Sequence, residues 1–439
     1  MSTTQTRSVF DELRPPLEAA AALVEADRCL ECGGPYAPAP CVVACPAAVD
    51  VPAFVSALAG GDVASAAHTI FAENILGGTC ARVCPVEVLC EGACLLEHDG
   101  QPPVQIARLQ RFATDWAFEH GLRPRVPAPP SGRRVAVIGA GPAGLACGGE
   151  LAASGHEVVV FDERRLPGGL ARSAIAPYRI RSEPLEDETR LLEELGVELR
   201  VGERIGSAAE LRALETRFDA IVLAVGMGED ADVRYPGDEL QGVWQSLPFI
   251  AALKTGRPPA VGTDVVVIGG GNTAFDVARE AALLGAERVT IVYRRTEREL
   301  PAYPHEVEEA RADGVELRFL AAPLRFLGDG WLDAVECVEM RLGAPDESGR
   351  PSPEPVTGSE FTIPADTAVL AIGQRPRLEL LDWVDGLEFT HGRLSVDPAT
   401  GRTGNPKYFA AGDAVSGGAT VVEAVRDAKR VARALEVAR

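Results

Sequence analysis

The stretch Val135-Ala-Val-Ile138-Gly139-Ala-Gly141-Pro142-Ala143-Gly144 decides the fold. A run of strand-type apolar residues leads straight into glycines spaced G-x-G-x-x-G, and an Ala/Leu-rich, helix-like segment follows. Each glycine answers a physical need. Gly139 makes the tight turn, Gly141 lets the backbone approach a pyrophosphate, and Gly144 lets helix and strand pack closely. The helix N-terminus then presents free N–H groups to the phosphates. A second strand, Val158-Val-Val-Phe161, ends at Asp162, where a ribose hydroxyl needs an acceptor. A lone glycine fingerprint would suit any tight strand-to-helix turn. Here strand, glycines, helix, second strand and terminal acid agree.

A second copy lies downstream. Val265-Val-Val-Ile268 precedes Gly269-Gly-Gly271-Asn272-Thr273-Ala274, with Ala274 in place of the third glycine. Its following strand, Val289 to Val292, ends in Tyr293-Arg294-Arg295 rather than in an acid. Two arginines there suit a ribose 2′-phosphate, hence NADP, with NAD the alternative. Strand-type runs (Arg134 to Ile138, Glu157 to Phe161, Asp264 to Ile268, Arg288 to Val292) alternate with amphipathic segments, which predicts parallel α/β architecture.

Two nucleotide sites in one chain suggest FAD at the first and a nicotinamide cofactor at the second. The C-terminal region agrees. Tyr408-Phe-Ala-Ala-Gly412-Asp413 reads as a strand ending in Gly-Asp, and Thr420-Val421-Val422-Glu423 is a capping box that opens the last helix. A helix N-terminus aimed at a flavin ring favours its anionic reduced form. The cofactor-binding candidates also include Gly169, Leu170, Arg179, Gly226 and Gly373.

Eight of the ten cysteines fall between Cys29 and Cys94. The first group is Cys29-x2-Cys32-x8-Cys41-x3-Cys45-Pro46, a ferredoxin-like run with a widened gap. The second is Cys80-x3-Cys84-Pro85-x4-Cys90-x3-Cys94. In two-cluster ferredoxins the cysteine before proline ligates the other cluster. Two groups of near-matching spacing therefore suggest two [4Fe–4S] clusters, each drawing on both. Zinc also accepts four thiolates, but paired CxxC elements are its usual signature and one CxxC is present here. Cys147 and Cys337 are isolated and read as small core residues.

Composition narrows the class. The chain has 439 residues, 43 basic and 64 acidic, for a formal net charge of −21. That charge argues against nucleic acid or an acidic membrane surface as partner. Met1 to Arg14 is polar, without the apolar core of a secretory leader, and no run reaches the roughly 18 apolar residues of a membrane helix. The expected location is the cytoplasm, where clustered cysteines bind metal or do redox chemistry. A Pro-rich stretch, Arg123 to Gly132, reads as a stiff linker. The expected domains are 1–130, α-helical with the iron–sulfur clusters; 131–240 with 373–439, binding FAD; and 241–372, binding NAD(P)H. The expected fold class is α/β, two Rossmann-like domains of the pyridine nucleotide oxidoreductase type, preceded by a mainly α-helical iron–sulfur domain.

Nearly the whole chain resembles the FAD- and iron–sulfur-containing part of dihydropyrimidine dehydrogenase, a separate subunit in bacteria. It is similar, more distantly, to the small subunit of NADPH-dependent glutamate synthase. The resemblance rests on Cys80-Ala-Arg-Val-Cys84-Pro-Val-Glu-Val-Leu-Cys90, on Leu109-Gln110-Arg-Phe-Ala-Thr-Asp115, on Gly168-Gly169-Leu170 and on Ala411-Gly412-Asp413. It implies one cluster on Cys29, Cys32, Cys41 and Cys94, and another on Cys45, Cys84, Cys90 and the amide oxygen of Gln110, with Cys80 spare. Read from spacing alone, Cys80 would take the place of Gln110. Helical spacing of Ile106, Leu109, Gln110 and Ala113 puts Gln110 on an inward face, where a polar group needs a partner. The dehydrogenase subunit generally uses NADH, whereas Arg294-Arg295 resembles NADPH-dependent relatives.

The resemblance implies an electron-input oxidoreductase passing electrons from NAD(P)H through FAD and the clusters to a partner. That partner would be an FMN-barrel subunit of the dihydropyrimidine dehydrogenase type, with a glutamate synthase large subunit as the alternative. A free-standing reductase acting on ferredoxin or a quinone is an alternative. A zinc-stabilised interaction protein with vestigial nucleotide folds is the non-enzyme alternative. No catalytic side chain is assigned, because the cofactors hold the chemistry.

Overall fold

The computed structural model describes residues 12–34, 36–346, 349–376 and 379–437. The leader reading of Met1 to Arg14 falls largely on residues 1–11, outside that range. The described chain forms two compact units, residues 12–172, 179–228 and 376–437 in one and residues 173–178 and 229–375 in the other.

The larger unit begins with short helices: Ala19–Ala26, Pro40–Ala44, Val51–Ala59, Val63–Glu73, Gly77–Val83, Leu95–His98 and Ile106–Glu119. Asp50 and Asp62 start two of them, their carboxylates accepting from Ala53 N (3.2 Å) and Ser65 N (3.0 Å). Ile106–Glu119 buries Ile106, Leu109, Gln110, Ala113 and Ala117, a three-to-four-residue spacing that turns one stripe inward. Phe54, Ile70, Phe71 and Leu76 are fully buried beside it, each contributing about 2 kcal/mol.

The rest of this unit is a five-stranded parallel sheet. Its order is Tyr408–Ala410, Ala220–Leu223, Arg134–Ile138, Glu157–Asp162, Glu198–Val201. Val135 and Val137 pack into the same core as the N-terminal helices, while Ala136 and Ile138 pack with Leu211 and Leu214 on the opposite face. A sheet covered on both faces explains the unbroken apolar strand runs. The segment read as a linker is strapped to this unit. Ala128 N bonds Ala153 O (2.8 Å), Ser131 N bonds Gly155 O (2.8 Å), and Arg125 pairs with Glu150 (2.9 Å).

The smaller unit holds a second five-stranded parallel sheet, in the order Val243–Gln245, Thr367–Leu370, Asp264–Ile268, Arg288–Tyr293, Glu316–Phe319. It also holds a three-stranded antiparallel sheet, Ala321–Leu327, Ala334–Pro345 and Pro351–Pro364, which the sequence reading does not anticipate. The last of these strands is rich in proline and polar residues, so local propensity for it is weak. Among the described residues, no helix is long and apolar enough to cross a membrane.

Candidate functional site

The first glycine loop sits at the carboxyl end of the central strand Arg134–Ile138, where the strand order turns back, the usual ligand crevice of such sheets. Gly139 takes φ +108°, and a Cβ there would collide with the Ala224 carbonyl oxygen. A Cβ on Gly144 would strike the Gly139 carbonyl oxygen. Gly141 opens the helix Pro142–Ala153 with no side chain capping it, so the first N–H groups remain available to phosphate oxygens. The Asp162 carboxylate braces the loop by accepting from Ala140 N (2.6 Å) and Arg164 N (2.7 Å).

The other candidates of this unit gather around that helix start. A Cβ on Gly169 would lie 2.7 Å from Gly141 Cα, and one on Gly412 would lie 2.7 Å from Ala143 Cβ. Leu170 follows in the short helix Gly169–Ser173. The capping box is formed as read: Thr420 N and Oγ1 donate to Glu423 (2.9 and 2.8 Å), and Glu423 N donates to Thr420 Oγ1 (3.3 Å). Val421 and Val422 begin the last helix, Val421–Val437, which packs along Pro142–Ala153. Burial raises the Asp413 carboxyl above its ordinary range, while Ala419 N donates to it (3.0 Å). Arg179 is half-buried, and Gly226 takes φ +61° beyond the strand Ala220–Leu223.

The second loop repeats the geometry in the smaller unit. Gly269 takes φ +145°, and a Cβ there would collide with the Ala371 carbonyl oxygen. A Cβ on Gly271 would meet nothing within 4 Å, which leaves room for a ligand. The helix Asn272–Leu283 starts at once, with Thr273 half-buried and Ala274 buried in its first turn. Asn272 Oδ1 accepts from Tyr303 N (3.0 Å), and Gly373 O accepts from Ala231 N (2.9 Å). The structure divides the arginine pair. Arg294 is exposed at the strand end, whereas Arg295 is buried, pairs with Asp346 (2.9 Å) and donates to Pro351 O (2.8 Å). The paired reading is thus corrected to one open guanidinium and one engaged in holding the antiparallel sheet's turn.

The cysteines separate into two sets. Cys29, Cys32, Cys41 and Cys94 line one cavity together with Leu30 and Leu95. Burial, then the neighbouring Cys29 sulfur, pushes the Cys41 thiol up to about 11. Cys45, Cys80, Cys84 and Cys90 form the other set. The Cys84 thiol is raised well above its usual value by a hydrogen bond with Cys80 and then by burial. Burial, then Glu91, does the same to Cys90. Cys45 and Cys84 follow directly after helices, and Cys94 directly precedes one, so the chain turns at each sulfur. Among the described residues, no three Cys, His, Asp or Glu side chains meet closely enough to hold a single metal ion.

Gln110 is buried, and its amide nitrogen donates to Gly77 O (2.7 Å), which leaves the amide oxygen available. Cys80, read as spare under the resemblance, is 2% exposed and lies against Cys84. Cys147 and Cys337 are fully buried away from both sets. Two residues the sequence reading missed join the helical part to the part built on the first parallel sheet. Glu188 accepts from Thr79, and Lys429 donates to Ala47 O. Lys429 carried one legible signal, a lysine on the apolar stripe Val422, Val425, Ala432 of an otherwise regular helix.

A family model described as pyridine nucleotide-disulphide oxidoreductase matches residues 133–428, more than half of the chain. The chain belongs to the pyridine nucleotide-disulphide oxidoreductase family. A second model, dihydropyrimidine dehydrogenase domain II, 4Fe-4S cluster, matches residues 6–122 of this oxidoreductase. The glutamate synthase [NADPH] small chain of Escherichia coli is 35% identical over 96% of this chain and 92% of that one. The NADP(+)-dependent formate dehydrogenase subunit beta of Moorella thermoacetica is 35% identical over 92% of this chain, which spans 60% of its length. The NADPH-Fe(3+) oxidoreductase subunit beta of Geobacter sulfurreducens is 36% identical over 91% of this chain, which spans 63% of its length. Among solved structures, Mycobacterium tuberculosis FprA in complex with NADPH matches with a TM-score of 0.58 and 20% identity, over 71% of this chain and 84% of that one. Thioredoxin reductase of T. acidophilum matches with a TM-score of 0.52 and 21% identity, over 70% and 99%. At those identities the structures establish the fold alone.

The oxidoreductase is therefore an NAD(P)H-dependent, FAD-containing iron–sulfur flavoprotein of the glutamate synthase small-chain-like group. The residues present fit those cofactors. Two cradles exist in which a Cβ would strike backbone, and half-buried thiols ring a cavity in a soft-donor set that iron–sulfur chemistry requires.

Proposed function

We propose that this flavoprotein is the electron-input subunit of a multi-subunit oxidoreductase, drawing electrons from NADPH and delivering them to a partner chain. The observation that carries the reading is that both cysteine sets and the first glycine cradle belong to one compact unit with a shared core. When bound, the flavin accepts a hydride's two electrons and the clusters relay them singly. The chain's own residues position these groups and keep them dry. Gly139, Gly141 and Gly144 receive the FAD pyrophosphate, and Gly169, Gly412, Asp413 and the helix start at Thr420 border the flavin. Gly269, Gly271, Asn272, Thr273 and Ala274 receive the nicotinamide dinucleotide, with exposed Arg294 at its 2′-phosphate.

One cluster is held by Cys29, Cys32, Cys41 and Cys94, the other by Cys45, Cys84, Cys90 and Gln110. The first set, whose cavity is rimmed by Leu30 and Leu95, 56% and 39% exposed, would hold the cluster that passes electrons to the partner. A glutamate synthase-type large partner is supported by the near full-length match to the small chain. A pyrimidine dehydrogenase-type partner with an FMN barrel is the second reading, favoured by the N-terminal model and by Gln110.

Anaerobic affinity purification of the full chain from its own host tests both. A large glutamine-handling chain supports the first, and an FMN-binding barrel chain the second. A chain that binds nothing and reduces ferredoxin alone with NADPH overturns the partner proposal.

A further inference from the structure

The sequence uses three lysines among its 43 basic residues, and one of them, Lys429, is 7% exposed in the middle of the last helix. An ammonium has three donors. All three find acceptors here: Ala47 O at 2.7 Å, Glu73 O at 2.9 Å and the Glu73 carboxylate at 2.5 Å. A compact charge with three rotatable donors suits this site better than the planar fork of arginine.

Ala47 stands two residues beyond Cys45. The backbone turns back there, with Ala48 at φ +58°. The Ala48 N–H donates to the Cys45 carbonyl oxygen (2.8 Å), and the backbone N–H groups of Val49, Ala47 and, least, Ala48 face the Cys45 sulfur and favour its thiolate. The Ala47 carbonyl and the Ala48 N–H belong to the same peptide group. The ammonium thus pulls on one end of an amide whose other end bonds the Cys45 carbonyl and faces its sulfur. That pull polarises the amide and strengthens its N–H as a donor.

We propose that Lys429 sets the reduction potential of the iron–sulfur cluster held through Cys45, acting through the Ala47–Ala48 peptide. The inference rests on the assignment of Cys45 as a ligand. Reduction adds negative charge to a cluster, so a buried cation and strengthened N–H···S bonds favour the reduced state and raise the potential. The Glu73 carboxylate, 41% exposed, offsets part of that charge. Lys429 is a positioning residue, one step removed from the cluster. The helix that carries it begins at Thr420, beside the flavin-side Gly412–Asp413 turn, so a single rigid element spans from the flavin cradle to the Cys45 loop.

The test uses the full chain, purified anaerobically as wild type, Lys429→Met, Lys429→Arg and Glu73→Gln. Iron and acid-labile sulfide are counted, and the clusters are titrated potentiometrically with EPR detection. The ligand assignment requires about eight irons per wild-type chain, two clusters of four. A wild type without iron, or with only four, overturns that assignment and this inference together. With iron complete, Lys429→Met is expected to lower the potential of one cluster and leave the other in place. Lys429→Arg restores most of the shift, and Glu73→Gln moves the same cluster upward. Full iron content with both potentials unmoved in Lys429→Met overturns this inference alone. Should Lys429→Met fail to fold, Glu73→Gln, which keeps the lysine, decides by the same criterion.

Discussion

The carboxylate of Glu188, fully buried on the helix Glu183–Glu194, accepts both the backbone N–H (2.8 Å) and the hydroxyl (2.5 Å) of Thr79. Thr79 sits in the helix that carries Cys80 and leads into Cys84, so this contact ties the helix Glu183–Glu194 to the second cysteine set. Burial pushes the Glu188 carboxyl up to about 7, against the lowering effect of the Thr79 bonds and of Arg82.

A pH dependence follows from that shift. The group ionises near 4.5 in the unfolded chain and near 7 in the folded one, so the unfolded chain binds fewer protons between those values. Stability from this site is complete below about 4.5 and declines as pH rises through 7, by on the order of 3 kcal/mol in total. The apparent melting temperature of wild type should fall from pH 5 to pH 8, and Glu188→Gln should flatten that slope. Equal slopes for the two proteins would sink the idea.

The two glycine loops should fail independently. Gly139→Ala puts a Cβ against the Ala224 carbonyl at φ +108°. Strain and collision together should weaken FAD binding roughly 10-fold or more. Flavin absorbance after desalting measures this. Iron content should hold, because the cysteine sets are not touched.

Arg294 and Arg295 should part company in kinetics. Arg294→Ala removes an exposed charge from the proposed 2′-phosphate position and should raise KM for NADPH about 10- to 100-fold, with little change for NADH. Arg295→Ala breaks the pair with Asp346 and the bond to Pro351 O, so it should lower thermal stability and leave the NADPH/NADH ratio near that of wild type. The opposite pattern would exchange their roles.

Cys80 and Gln110 compete for one assignment. The Gln110 amide nitrogen is held by Gly77 O, which turns the oxygen free, while the Cys80 thiol is hydrogen-bonded to Cys84. Cys80→Ala should therefore keep the full iron content, and Gln110→Leu should alter the EPR signal of one cluster or lose it. Iron loss in Cys80→Ala with an unchanged spectrum in Gln110→Leu would reverse the assignment.

The nucleotide folds were legible because the glycine fingerprint is a backbone requirement written in side-chain terms. At Gly139 and Gly269 a Cβ would meet a carbonyl, so residue type and local geometry are the same statement. The strands Arg134–Ile138 and Asp264–Ile268 lie where their apolar runs put them, because burial on both faces removes any alternation. The capping box at Thr420–Glu423 was legible for the same local reason. The cysteine spacing announced iron–sulfur chemistry, since thiolates at that density require a metal.

Other features depended on pairings between distant residues. The strand Pro351–Pro364 has weak propensity and exists by its register against Ala334–Pro345. The segment Arg123 to Gly132 has linker composition, yet Ala153, Gly155 and Glu150 strap it down. Arg294 and Arg295 are adjacent and chemically identical, and only the position of Asp346 and Pro351 separates the open guanidinium from the engaged one. By itself, then, the sequence determined the class of cofactors and the two cradles, because these depend on contiguous residues and on chain geometry. Tertiary structure alone decided that Glu188 and Lys429 join the cysteine-bearing helices to the elements of the first parallel sheet. Burial, and a partner 109 or 382 positions away, gives those ordinary charged residues their meaning.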